Sequence, residues 1–153
     1  MKIRADEHVS SEIVGAAREI ALSVGWELTH VVDEGDGGAA DEHWITRFAK
    51  QGGDAILTAD TDFLKLPNQV VAIFNTGVKV IHLPHRWANA GRHLQASHIL
   101  LWWRRIEATI KSMKARECYR PPWNIDESGK LQRVQIDYAE AHKKQKKADR
   151  RSE

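Results

Sequence analysis

A single cysteine among 153 residues excludes an internal disulfide and cannot by itself build a zinc site, and it accords with a reducing compartment. Cys118 is therefore read as an ordinary thiol. Long hydrophobic runs are missing as well. No stretch of about 18 apolar residues occurs, and Met1 leads straight into Lys2-Ile3-Arg4-Ala5-Asp6, so neither a membrane span nor a signal peptide is expected and the expected location is cytoplasmic. Walker-type and dinucleotide-binding glycine patterns are absent, and so are the usual Ser, His or Cys nucleophile motifs. These absences fit a chemistry that needs no side-chain nucleophile.

Hydrophobic residues make up 42% of the chain, enough for one ordinary core and too little for two. The net charge of +2 hides a strong asymmetry. Up to Asp62 there are 13 of the 21 acids and only 5 of the 23 Lys and Arg, a net of −8, against +10 beyond it. Opposite fields on one small domain suit an acidic pocket that concentrates cations beside a basic surface that attracts a polyanion.

Periodicity gives the frame. Lys2 to Asp6 reads as a strand; Ser10 or Ser11 then caps a helix whose Ile13, Ala17, Ile20 and Val24 recur at helical spacing, with Gly25 as its left-handed stop. Trp26 to Val32 reads as a second strand. The acidic, Gly-rich 33–38 is expected to be a flexible loop. Asp41 stands as N-cap of a helix carrying Trp44, Ile45, Phe48 and Ala49, stopped by Gly52-Gly53. Ala55 to Thr58 is a third strand, and Val70 to Phe74 and Val78 to Leu83 are two further strand candidates. The longest helix, about Ala90 to Arg116, buries Ile99, Trp102, Trp103, Ile106, Ile110 and Met113. Trp123 to Ile125 and Leu131 to Tyr138 flank a turn-like Asp126-Glu127-Ser128-Gly129, as in a hairpin, and His142 to Arg151 reads as a basic tail, disordered until bound. The fold class is thus α/β: a three-layer domain over 1–123 with a mainly parallel central sheet between helices, then a C-terminal hairpin and basic tail over 124–153.

In an open parallel sheet, ligands bind outside the carboxyl ends of the strands. Asp6 and Glu7 end the first strand, Asp60 and Asp62 follow the third, and Asp41 or Glu42 opens a helix leading back into the sheet. Carboxylates gathered there raise one another's pKa values unless a hard cation sits among them, which points to Mg²⁺ or Mn²⁺. Such ions polarise a phosphodiester and activate water. Asp41 is also a natural helix cap, Asp60 and Asp62 are also natural turn residues, and Glu7 is most simply an exposed or supporting acid. His82, His85, His93 and His98 are too irregularly spaced for a zinc set.

Asp6-Glu7, Gly38-Ala39-Ala40-Asp41-Glu42 and above all Leu57-Thr58-Ala59-Asp60-Thr61-Asp62-Phe63 resemble the PIN-like group near the VapC-type toxins of toxin–antitoxin pairs. The resemblance spans roughly 1–123, including Trp102-Trp103 and Pro121-Pro122-Trp123. It implies an endoribonuclease with Asp6, Asp41, Asp60 and Asp62 as catalytic and metal-binding positions, Glu7 and Glu42 competing for the same roles, and a small antitoxin as partner; a homodimer is compatible with it. Arg86, Trp87, Arg104, Arg105 and Lys111 are the candidate RNA contacts. Two departures stand out: Arg4 occupies a usually apolar position, and His8 one that is often Asn. Two other classes compete: a receiver-like phosphoacceptor, with Asp60 as acceptor and Thr76 and Lys79 loosely filling the accessory roles, and a catalytically silent RNA- or protein-binding module.

Overall fold

A computed structural model describes residues 1–124 and 129–153. Among these residues one six-stranded sheet has the order β2-β1-β3-β4-β5-β6, built from β1 (Lys2–Ala5), β2 (Glu27–His30), β3 (Ala55–Thr58), β4 (Lys79–His82), β5 (Cys118–Arg120) and β6 (Gln132–Val134). β1 to β5 run parallel and β6 is antiparallel to β5. Helices α1 (Ser11–Ile20), α4 (His85–Asn89) and α5 (Arg92–Ser112) cover one face, and α2 (Asp41–Lys50), α3 (Pro67–Thr76) and α6 (Tyr138–Ser152) the other.

The two faces follow from alternation along the strands. In β3, Ala55 and Leu57 join the core under α1 and α5, while Ile56 joins the core under α2 and α3. Trp87, Trp102 and Trp103 fill the first core, and Trp44, Phe48 and Phe63 the second. A buried carboxylate locks α5 to the loop after α1: Glu107 accepts hydrogen bonds from Ser23 N (2.9 Å), the Ser23 hydroxyl and Trp103 Nε1 (2.8 Å).

Several local expectations are corrected. Val70 to Phe74 is helix, not strand. Pro67 at the first helical position and Gly77 in the left-handed region (φ 77°) delimit α3, and Val70 and Ile73 are buried at helical spacing; a short β-branched apolar run does not by itself separate the two states. The first helix ends at Ile20, which is 73% exposed, and Val24 is wholly exposed, so Val14 shares the buried face with Ile13 and Ala17. Gly25 is left-handed as expected, but in the turn before β2. The long helix starts at Arg92, after Gly91 (φ 85°), and ends at Ser112 instead of Arg116, and the short α4 precedes it. The hairpin pairs Cys118–Arg120 with Gln132–Val134; Cys118 is buried against β4, and Pro121-Pro122 offers no N–H with which to extend the ladder. Of the expected turn, 126–128 lies outside the described residues, as does Ile125.

The expected disordered tail is the helix α6. Asp137 caps it, accepting from Glu140 N at 2.8 Å. Phe74 of α3 meets Tyr138 and His142 with ring centroids 5.3 and 4.9 Å away, so the segment gains the apolar anchor that a solvated tail lacks. The acidic 33–38 loop is likewise tied down. Asp36 is buried between Arg47 (2.5 Å) and Arg4 (3.8 Å). Arg4 itself is buried, with Nε donating to Thr29 Oγ1 at 3.1 Å and its guanidinium 4.6 Å from the Phe48 ring centre. A charged residue in the first strand is thus accommodated by a partner that the loop delivers.

Candidate functional site

With the strand order 2-1-3-4-5, the connections leave β1 and β3 in opposite directions, so the crevice lies between the carboxyl ends of these two strands. Asp6 follows β1 there. Its amide donates to Leu57 O at 3.0 Å, which ties it to β3. The Asp6 carboxylate is 3% exposed and accepts from His8 N at 3.0 Å and from the Thr58 hydroxyl. Thr58 Oγ1 in turn accepts from Asp60 N at 3.1 Å, so one hydroxyl links the ends of both strands. The His8 ring spans the same gap, 3.9 Å from Asp6 and 3.9 Å from Asp60.

Burial raises the Asp6 pKa from its ordinary value to about 6; the Thr58 hydrogen bond and the His8 ring and amide act the other way, and the Asp41 carboxylate adds to the rise. Asp41 is therefore within electrostatic reach of Asp6. It is not the N-cap. Ala40 occupies that position, and Asp41, in the first helical turn, accepts from Trp44 Nε1 at 2.8 Å and from Gln69 Nε2 of α3. Its orientation is set by side chains, not by a capping role.

Asp60, Asp62, Glu7 and Glu42 differ among themselves. Asp60 points its carboxylate to Asp62 N (2.9 Å), and its carbonyl accepts from His82 Nε2 at 2.8 Å. The proton sits on Nε2 because His82 Nδ1 accepts from Arg120 Nε at 3.0 Å. Asp6 is thus linked to Asp60 through Thr58 and His8 and feels the charge of Asp41, whereas the Asp62 side chain is 64% exposed and pairs with Lys65 at 3.5 Å. Glu7 accepts from Gly38 N. Glu7, His8, Asp41, Glu42 and Gln69 line a pocket of about 360 Å³ at this edge.

The expected RNA contacts scatter. Trp87 is buried: its ring stacks on His98 at 4.9 Å and its Nε1 donates to Trp123 O at 2.9 Å, which removes it as a base-stacking surface. The exposed indole is Trp123, 56% exposed, with the Arg86 guanidinium 4.5 Å from its ring centre. Lys111 lies over Trp26, at the edge opposite the acids, where Lys79 Nζ also reaches Ile110 O at 2.8 Å. Arg105 covers Trp102, and Arg104 is exposed on the same helix. Lys79 is thus remote from Asp60, and the Thr76 hydroxyl donates to Ala72 O at 2.7 Å within α3, so neither can serve a receiver-like acceptor. Gln69 and Arg120 were not singled out from the sequence; His8 stood out there only as a departure from Asn, and Thr58 only as part of the Leu57-Thr58-Ala59-Asp60 motif.

Residues 1–85 match a family described as a PIN-like domain. The chain belongs to that family. PIN-like domains are generally nucleases that work with divalent metals, and the three-layer sheet of this chain agrees with the assignment. Searches of curated proteins and of solved structures returned no match. No helix among the described residues is long and apolar enough to cross a membrane.

The donor chemistry fits a hard divalent cation: Asp6, Asp41 and Asp60 offer only oxygen, and among the described residues no Lys or Arg pairs with the buried Asp6. Among the described residues, no three of His, Cys, Asp and Glu close into a ready ligand shell.

Proposed function

We propose that this PIN-like protein is a metal-dependent endoribonuclease in which Asp6, Asp41 and Asp60 hold Mg²⁺ or Mn²⁺, with Glu7 and Glu42 lining the pocket beside Asp41 and Asp62 turned to Lys65 and solvent. The observation that carries this reading is Asp6: a buried carboxylate at the crevice of a parallel sheet, beside two other acids, whose charge is left without a strong cationic partner. When bound, the metal would lower the pKa of an attacking water and offset the charge that develops on the phosphate. The protein's own groups keep the ligands in place. Thr58 and the His8 amide fix Asp6, Trp44 and Gln69 fix Asp41, and the Arg120–His82 pair fixes the backbone at Asp60. His8, half-exposed between Asp6 and Asp60, is positioned to exchange a proton with the site. Arg86 on Trp123 offers a cation and an aromatic face to an unpaired base and its phosphate.

Incubation of the purified protein with a mixed RNA pool and Mn²⁺ tests the reading. Cleavage within chains is expected, lost on addition of EDTA and in Asp6→Asn and Asp60→Asn. An intact pool under those conditions overturns it. A toxin role, with a small antitoxin masking the same edge, follows from the likeness to VapC-type chains; expression is then expected to arrest growth, and Asp60→Asn to relieve the arrest.

A further inference from the structure

α6 carries six cations, Lys143, Lys144, Lys146, Lys147, Arg150 and Arg151, against two acids, Glu140 and Asp149. At about 100° per residue, the six fall within an arc of roughly 160°. Ala141, Gln145 and Ala148 lie on the opposite side, where Ala141 is buried and Gln145 lines a groove with residues of α2 and α3. All six cations are solvent-exposed, and among the described residues only Lys144 has an acid within ion-pair distance, Glu140 at 3.7 Å. A like-charged face of this density repels itself and gains nothing from the core beneath it.

Its direction is informative. Tyr138 and His142 pack on Phe74 near the end of α3, and α6 continues packed against α3, with Gln145 on a groove that runs from Thr76 to Asn68 of α3 and from Lys50 to Glu42 of α2. α6 therefore runs antiparallel to α3, from the amino edge of the sheet toward its carboxyl edge. Arg150 and Arg151 lie on the order of 8 Å further along than Gln145 at 1.5 Å per residue. Along an axis antiparallel to α3, that length carries them toward the first turn of α3, whose Gln69 holds Asp41. Glu42 lines both this groove and the acidic pocket, so the basic helix and the candidate site are neighbours.

We infer that the outer face of α6 is a phosphate-binding rail that holds the backbone of a single RNA strand and leads it to the acidic edge. The inference rests on the nuclease reading for its purpose, but not for its measurement. An acidic crevice repels a polyanion, so affinity has to come from cations displaced from the carboxylates, and α6 supplies the densest such set, pointing outward and ending at the right edge.

The test compares the 153-residue chain with a variant carrying Lys143→Gln, Lys147→Gln, Arg150→Gln and Arg151→Gln, all on the exposed face, and with a two-charge control outside α6, Lys114→Gln with Lys130→Gln. Binding of a fluorescein-labelled single-stranded RNA is followed in EDTA over a range of KCl concentrations. On a single strand each phosphate contact contributes about −0.7 to the slope of log K against log salt, so loss of four contacts in the α6 variant is expected to flatten the slope by roughly three. The control should leave it unchanged. With Mn²⁺ present, KM should rise about tenfold at constant kcat, the pattern of lost binding that is equal in ground and transition states. An unchanged salt slope in the α6 variant, with unaltered circular dichroism, overturns the rail, as does an equal loss in the control. Because binding is read without metal, a protein that binds through α6 but cleaves nothing refutes the nuclease reading and leaves the rail standing.

Discussion

Replacing Asp6 with Asn should change the stability of the metal-free protein in opposite directions at low and high pH. In the folded chain, the Asp6 carboxyl titrates near 6 in place of its ordinary 3.8, a difference worth about 3 kcal/mol. The folded state holds its proton over a range where the unfolded chain has released it. Stability is therefore fully present below the unfolded pKa and is lost as pH rises through about 6. Asparagine carries no charge to desolvate, but its NH₂ faces a Thr58 hydroxyl that must then turn away, at a cost of about 1 kcal/mol. The variant is expected to be about 1 kcal/mol less stable than the parent near pH 4 and about 2 kcal/mol more stable near pH 8. Urea unfolding in EDTA across that range measures the difference, in which contributions from unaltered groups cancel. A difference that stays flat between those limits would refute the claim that Asp6 is buried without a compensating cation.

Mg²⁺ or Mn²⁺ at about 100 times its Kd should stabilise the parent by about 2.7 kcal/mol and Asp6→Asn by much less, read as a thermal shift; equal shifts would place the ion elsewhere. Arg4→Met removes one of the two guanidinium partners of the buried Asp36 and should cost about 3 kcal/mol in urea unfolding. A loss below about 0.5 kcal/mol would mean that the pair carries no weight. Glu107→Ala leaves Ser23 N and Trp103 Nε1 without their acceptor and should cost about 3 kcal/mol, with Mn²⁺-dependent cleavage retained at temperatures where the variant is folded.

Much of the site was legible because the chain places its acids at strand ends. Asp6 and Asp60 flank short apolar runs with clear β patterning, and strand ends of a parallel sheet share one edge whatever the details. Asp62 looked equivalent to Asp60 in the linear motif. In the fold, the turn after β3 directs it to Lys65 and to solvent. Trp87 and Trp123 show the same gap between motif and placement. Both follow a basic residue or a proline pair near a strand end, yet α5 buries the first and leaves the second on the surface.

Alternation and helical spacing by themselves determined the α/β class, the parallel strands and the burial of Ile99, Trp102, Trp103 and Ile106, because these depend on local period and on the sign of hydrophobicity. Tertiary structure decided the rest. Val70–Phe74 became helix because Pro67 and Gly77 bound it and a core was waiting on one side. The basic C-terminal stretch became α6 because Phe74 offered Tyr138 and His142 a surface. Arg4 was affordable in the first strand because a loop more than thirty residues away returned Asp36 to meet it. Each depends on a partner distant in sequence, and that distance is what a one-dimensional pattern does not encode.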